Sequence, residues 1–328
     1  MNLFTRISYN SSGWQRPTGD ASKLEVDDSF NSQFKFGFED WFFRGEWQVD
    51  GWRYAFLQGA NIKDRKYIGR PWTVSLYTIQ PDKQRRWVAD VHELECLDTI
   101  QSEEAEAFFH EQGWLQQMEN EVRAVGGDPR QIRNTEYSGH FLNIRYRLDN
   151  LQMMPANTFW PQAFWEKLAA YYNFYPLTEP AQADLAALLL RRGGRDVPLP
   201  EAPIFRPAIG ALAYSPEHRR MQAILLKQLQ DEYGHEHVRI EVDGIDALVE
   251  TNTGFIIYEI KSDLSPKSVV RQALGQLLEY AYHPPRAYAM PVRLVIVGRI
   301  ELDHQGAAYL DHLKRAFGLP IEYRVVSW

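Results

Sequence analysis

The sequence predicts two domains: an amino-terminal α+β domain built as a small barrel, then an α/β sandwich with a central mixed sheet. Three observations lead there. The chain has 328 residues, enough for roughly two independent cores. Nine of its ten Trp precede Pro180, the exception being Trp328, so the two halves fill their interiors differently. Between them Pro176-Leu177-Thr178-Glu179-Pro180 and Gly193-Gly194-Arg195-Asp196-Val197-Pro198-Leu199-Pro200 can extend neither a helix nor a central strand. They mark a connector over 177–205, holding a short helix near 185–192, between domains at 1–176 and 206–328.

In the first half, strands are predicted at Arg53 to Leu57, Trp72 to Ile79, Trp87 to Cys96 and Phe141 to Leu148, all rich in aromatic or β-branched residues. Helices are predicted at Glu103 to Val125, with Ser102 as N-cap and acids in the first turn, and at Pro161 to Tyr172. In the second half the predicted order is helix (Pro216 to Tyr233), strand (Val238 to Val242), strand (Ile245 to Glu250), strand (Phe255 to Lys261), helix (Val269 to Tyr282), strand (Val292 to Val297), helix (Ala307 to Phe317) and strand (Ile321 to Val326). Helices interleaved with strands in this way cover both faces of one sheet.

Composition narrows the function. With 45% hydrophobic and 24% charged residues the chain is neither disordered nor fibrous, and a single Cys excludes a disulfide framework or a Cys-rich zinc cluster. No run approaches the ~18 apolar residues of a membrane span, and no secretion signal is legible at the start, so a cytoplasmic protein is expected. A net charge of -7 argues against binding nucleic acid by bulk attraction, though a local basic groove is compatible with it.

The chemistry concentrates in Asp243-Gly244-Ile245-Asp246-Ala247-Leu248-Val249-Glu250 and Phe255-Ile256-Ile257-Tyr258-Glu259-Ile260-Lys261. Side chains alternate along a strand, so Glu259 and Lys261 share a face, and antiparallel pairing brings Asp246 beside Glu259. The surrounding apolar runs point to a buried sheet, where charge without a partner or a metal costs several kcal/mol. Two carboxylates and an ammonium suit Mg²⁺-assisted phosphodiester hydrolysis: Asp246, Glu259 and the Ile260 carbonyl as ligands, Lys261 orienting the water. On the next helix Gln272, Gln276 and Tyr280 form a polar stripe opposite Leu274, Leu277 and Leu278.

As an ordered set over about residues 216 to 298, these residues resemble the PD-(D/E)xK nuclease superfamily. Asp246 matches its first acid, Glu259-Ile260-Lys261 its E-x-K and Gln276 the glutamine of the following helix; Gly244-Ile245 stands where the name motif has Pro. The resemblance implies a catalytic set of Asp246, Glu259, Lys261 and Gln276, with Glu217 or His218 on the first helix as a possible accessory group.

In the first half, aromatics lie in glycine-punctuated stretches, Ser12-Gly13-Trp14-Gln15-Arg16-Pro17 and Phe36-Gly37-Phe38-Glu39-Asp40-Trp41-Phe42-Phe43. Aromatic faces stack on nucleobases for ~1–3 kcal/mol each, so Trp14, Trp41, Phe42 and Tyr54 are candidate pocket walls and Asp40 a candidate reader of a base edge. Filling an ordinary core is the competing reading for each. Lys63, Arg65, Lys66, Arg85, Arg86, Arg145 and Arg147 are candidate phosphate contacts. The strand series ending in Asn143-Ile144-Arg145-Tyr146-Arg147 resembles PUA-like base-reading domains of the EVE and SRA kind.

Joined to a PD-(D/E)xK core, such a domain resembles a modification-dependent restriction endonuclease. That implies Mg²⁺ as cofactor, double-stranded DNA carrying modified bases as substrate, no membrane partner, and a homodimer at least on DNA, since each chain offers one site for two strands. A non-catalytic nucleic-acid or protein-binding factor on a nuclease scaffold is the alternative, as is a nuclease whose first domain reads RNA or a protein. His235 and His237 lack the further ligands of a zinc site, and Cys96 reads as core.

Overall fold

The computed structural model describes residues 2–19, 29–60, 65–134, 139–160, 172–177, 214–283, 288 and 290–328. The chain divides into two compact units, Met1–Ala213 and Tyr214–Trp328. Apart from their end residues Leu177 and Tyr172, the predicted connector at 177–205 and the helix at 161–172 lie outside the described residues.

The first unit is organised by one mixed sheet. Its strands are β1 (Asn2–Arg6), β2 (Gln48–Val49), β3 (Trp52–Ala55), β4 (Pro71–Ile79), β5 (Arg85–Cys96), β6 (Ile144–Arg147), β7 (Leu151–Met153) and β8 (Tyr175–Pro176), ordered β2-β3-β6-β5-β4-β1-β8, with β7 also on β5. Only β1 and β4 run parallel. The expected barrel does not close among the described residues. The end strands β2 and β8 are two residues each and pair only with β3 and β1, too short an edge to zip a sheet onto itself.

The single helix expected over Glu103 to Val125 is two, α2 (Thr99–Glu111) and α3 (Trp114–Ala124), preceded in the chain by the five-residue α1 (Phe30–Phe34). Asp98, not Ser102, caps α2 by accepting the Gln101 N–H, and Gln101 closes the capping box; Ser102 is buried inside the helix. Gly113, at φ 72, takes the left-handed conformation that separates α2 from α3.

The second unit contains α4 (Pro216–Tyr233), β9 (Val238–Val242), β10 (Ile245–Thr251), β11 (Gly254–Ile260), α5 (Pro266–Tyr282), β12 (Val292–Gly298), α6 (His304–Phe317) and β13 (Ile321–Val325). The five strands are ordered β13-β12-β11-β10-β9. β9, β10 and β11 are antiparallel, whereas β11, β12 and β13 are parallel. Met221, Leu225 and Leu229 of α4, four residues apart, pack on Ala247, Val249, Ile256, Tyr258 and Ile260. Val269, Ala273 and Leu277 of α5 and Leu310 of α6 cover Leu248, Ile257 and Ile296 on the opposite face. Asp243 and Gly244, with φ 54 and 82, form the two-residue turn between β9 and β10; positive φ at both positions is what a type I′ hairpin requires.

Candidate active site

Strand pairing sets the geometry. β10 and β11 pair through Ala247↔Tyr258, and one step further along this register Asp246 faces Glu259. Asp246 sits at the start of β10 and Glu259 near the end of β11, so the two carboxylates meet at one end of the hairpin, on the same face of the sheet. Asp246 Oδ2 accepts the Ile260 N–H at 2.7 Å, and Oδ1 lies 3.2 Å from His218 Nε2. Gln222 Nε2 donates to the Asp246 carbonyl at 3.2 Å. Backbone, His218 and Gln222 therefore hold this residue from three directions.

Glu259 is differently placed. Its Oε1 accepts from Lys261 Nζ at 2.7 Å, but Oε2 is buried and makes no hydrogen bond. Asp246, Glu259 and Lys261 are only 3%, 2% and 9% exposed. Burial pushes the Glu259 carboxyl up to about 7; Lys261 opposes the rise, the Asp246 charge adds to it, and His218 opposes it.

Of the two residues expected on the first helix, His218 is the one that lies against Asp246. Ser215 caps the helix, accepting the His218 N–H, and places the imidazole in the first turn against Asp246. Glu217 is fully buried beside it. Gln276 touches neither carboxylate: its Nε2 donates to Tyr280 Oη at 3.3 Å, and that hydroxyl stands 3.8 Å from where a Cβ on Gly244 would be. Gln276 therefore reaches the turn before Asp246 through Tyr280. Gln272 donates to Asp263 Oδ1 at 3.0 Å. Ile260 contributes its N–H to Asp246.

Two groups near the carboxylates were not selected from sequence. Tyr214 stacks on His218 with ring centroids 4.4 Å apart, and its hydroxyl is pushed up to about 12 by burial and by the charges of Asp246, Glu241 and Glu259. Glu241, across from Asp246 between the Ile245↔Val242 and Ala247↔Ile240 pairs, has φ 55. Left-handed backbone at a residue with a side chain costs ~1–3 kcal/mol and concentrates at working sites.

The first unit corrects the pocket expectation. Trp14 and Phe42 lie in one core cluster, Trp41 and Tyr54 in another, so the four do not line a common space. Trp14 Nε1 donates to the Ser8 carbonyl, Trp41 Nε1 to Glu121, and Phe42 stacks on Tyr146 at 5.2 Å. Asp40 is committed internally, accepting from Asn10 Nδ2 at 2.7 Å and the Gly37 N–H at 2.9 Å. Large rings gain ~1.5–3 kcal/mol each by full burial, which outweighs leaving them open.

Arg145 is likewise corrected as a phosphate contact. It is fully buried, bonded through Nε and Nη2 to Glu95 Oε2 at 2.8 and 2.7 Å, and stacked 3.9 Å over Trp52. Arg147 donates to the Asp50 carbonyl and also lies over Trp52. Arg86 is half-buried, with its pKa lowered by burial; Arg85 donates to the Lys83 carbonyl, and Lys66 is exposed. Lys63 and the Arg65 side chain lie outside the described residues.

Cys96 is core, its thiol raised by burial. His235 and His237 sit on a short 3-10 turn, His237 lying 3.7 Å from Glu236. Among the described residues no three His, Cys, Asp or Glu side chains are grouped to hold an ion by themselves, and no helix is long and apolar enough to cross a membrane. Comparison with protein-family models, curated proteins and solved structures found no match to this chain.

Proposed function

We propose that the chain is a Mg²⁺-dependent DNA endonuclease of the modification-dependent restriction type, with hydrolysis in the second unit and selection of a modified base in the first. One observation carries the hydrolytic reading. Glu259 is held in the interior beside a second carboxylate, with one oxygen bonded to Lys261 and the other buried without a partner. Burying charge in that state costs several kcal/mol, a cost that a bound cation offsets.

The donors suit Mg²⁺, which takes one or two protein carboxylates and keeps several waters. Asp246 and Glu259 would hold it, with the Ile260 carbonyl as the third donor expected from sequence. Bound there, the ion supplies a Lewis acid for the phosphoryl oxygens and an acidified water.

The chain's own residues do the rest. The Ile260 N–H and His218 fix the Asp246 carboxylate, so it needs no reorganisation during the reaction. Lys261 neutralises charge gathering on the phosphate and orients the attacking water. The water oxygen bonds to phosphorus and gives up a proton to solvent, one P–O ester bond breaks, and the leaving oxygen takes a proton from solvent. Cutting both strands requires two copies on the DNA, since each chain carries one such site.

Wild type, Glu259→Ala and Lys261→Ala are to be incubated with Mg²⁺ on DNA with and without modified bases. Loss of cutting by about 10²–10⁴-fold in either variant is expected. Equal cutting by all three would sink the assignment.

A further inference from the structure

The first unit holds a cavity of about 250 Å³ lined by the end of α2, the start of α3, the 3-10 turn Pro129–Arg133 and residues 139–141 ahead of β6. His110 and Arg133, both exposed, mark its mouth. Leu115, Ile132 and Phe141, all buried, give it an apolar wall, and Glu106 and His140 bring polar groups into it. Glu106 is the residue with bonding capacity left over. Its Oε1 accepts the Phe141 N–H at 2.8 Å and the Leu142 N–H at 3.4 Å, and lies 3.3 Å from His140 Nδ1. All three contacts fall on that one oxygen, and among the described residues nothing bonds to Oε2. Burial raises the Glu106 carboxyl, while His140 and the two backbone N–H groups oppose the rise. A donor entering the cavity would complete this carboxylate. Glu106, His110 and His140 are not grouped to hold an ion by themselves. The volume falls just under the roughly 300–1,000 Å³ of sites that take drug-sized molecules, which suits a single flat ring.

We propose that this cavity receives an extruded 5-methylcytosine, with Glu106 accepting from its N4 amino group and the wall of Leu115, Ile132 and Phe141 taking its methyl group. The inference rests on the reading that the first unit selects a modified base, and deepens it by naming the base and the place that holds it. Cytosine offers N4–H donors where thymine and uracil offer O4, an acceptor that a carboxylate repels. The C5 methyl adds apolar surface beside that amino group, and apolar side chains meet it. A methyl on adenine N6 would instead replace one of the N–H donors that Glu106 takes, so the same cavity disfavours it. The imidazole of His110 at the mouth supplies a face for stacking on the ring. Glu106 thus stands in place of Asp40 as the edge reader, and this cavity in place of the Trp14, Trp41, Phe42 and Tyr54 pocket, whose rings are core.

The test uses the full chain and its Glu106→Gln and His110→Ala variants. Binding is measured by fluorescence anisotropy on four duplexes that differ at one base: 5-methylcytosine, cytosine, thymine or uracil. Each stands opposite an abasic site, so pairing does not hold it in the stack. Wild type is expected to bind 5-methylcytosine about fourfold more tightly than cytosine, the effect of burying one methyl group. It should bind 5-methylcytosine about tenfold or more over thymine, the effect of the amino edge. Glu106→Gln keeps an oxygen for the Phe141 and Leu142 N–H groups and presents an N–H donor in place of Oε2. It should melt close to wild type, lose or reverse the preference for amino over carbonyl edges, and keep the preference for the methyl group. His110→Ala should weaken binding of all four duplexes about fivefold without changing their order, because stacking does not read the edge.

Glu106→Gln discriminating as wild type does overturns the cavity alone. Should that variant fail to fold, unchanged binding of the 5-methylcytosine duplex by His110→Ala overturns it instead. Zn²⁺ alone raising the melting temperature of wild type but not of His110→Ala overturns it in favour of a cation site. A wild type that cuts DNA but binds all four duplexes equally overturns base selection and the cavity together, leaving the nuclease site standing. A wild type that discriminates but does not cut supports the cavity and removes the hydrolytic reading.

Discussion

Each unit buries a cation against a carboxylate, and the two pairs are built differently. Arg145 directs two N–H groups at Glu95 and lays its plane on Trp52, so the pair is enclosed by hydrogen bonds and stacking. Lys261 makes one contact to Glu259, leaves the second carboxylate oxygen without a partner, and has the Asp246 charge close by. The first pair holds strands β5 and β6 together. The second is left incomplete at a strand end, where a further ligand can finish it. Both pairs are buried; what separates them is the buried Glu259 oxygen left without a hydrogen bond.

The contrast breaks most visibly if the pairs are opened one at a time. Glu259→Gln should lower Mg²⁺-dependent DNA cleavage by at least about 10³-fold in single-turnover assays, because several kcal/mol of charge stabilisation go with the carboxylate. Retained cleavage would make the two pairs equivalent. Glu95→Ala strands a buried guanidinium and should cost about 3–5 kcal/mol in denaturant unfolding. A loss under about 1 kcal/mol would show that Trp52 stacking holds Arg145 without its carboxylate.

A smaller effect is expected at Arg53, which is buried and, among the described residues, makes one long hydrogen bond, 3.5 Å to Tyr146 Oη, with no carboxylate bonded to it. Arg53→Met should raise stability by about 1–2 kcal/mol, read as a higher denaturant midpoint at constant slope. Destabilisation would mean that the guanidinium is better satisfied than its contacts indicate.

The subtlest difference is in pH. The Glu259 carboxyl is raised in the folded protein to about 7, so folding favours its protonated form. Its contribution is fully present below the ordinary glutamate value and is lost as pH rises through about 7. Metal-free protein should therefore lose melting temperature between about pH 5 and pH 8, with the slope flattened in Glu259→Gln. Identical slopes in wild type and Glu259→Gln would remove the titration from that residue.

Legibility in the sequence follows the same division. In the second unit the helix and strand order is carried by local signals: Ser215-Pro216 opening α4, Asp243-Gly244 turning β9 into β10, apolar spacing along each strand. The same-face relation of Glu259 and Lys261 needs only a period of two. In the first unit the decisive facts are non-local. That Trp41 reaches Glu121, or that Arg145 finds Glu95 fifty residues earlier, depends on pairings no short window contains. Asp98 is hidden as a cap because the acids after Ser102 make an equally good local pattern, and Gly113 does not interrupt the helical pattern on either side of it. His218 could not be separated from Glu217 until α4 was set against β10. Tyr214 has no periodic signature, lying two residues ahead of the helix, before its Ser215 cap.

The two-residue turn at Asp243 and Gly244 ties chemistry to chain length. Inserting or deleting a single residue there would shift the start of β10 by one residue, turning the Asp246 side chain to the opposite face of the sheet and away from Glu259. Natural length variation is therefore expected at looser connections and not at this hairpin tip, and any engineered graft into the second unit should avoid it.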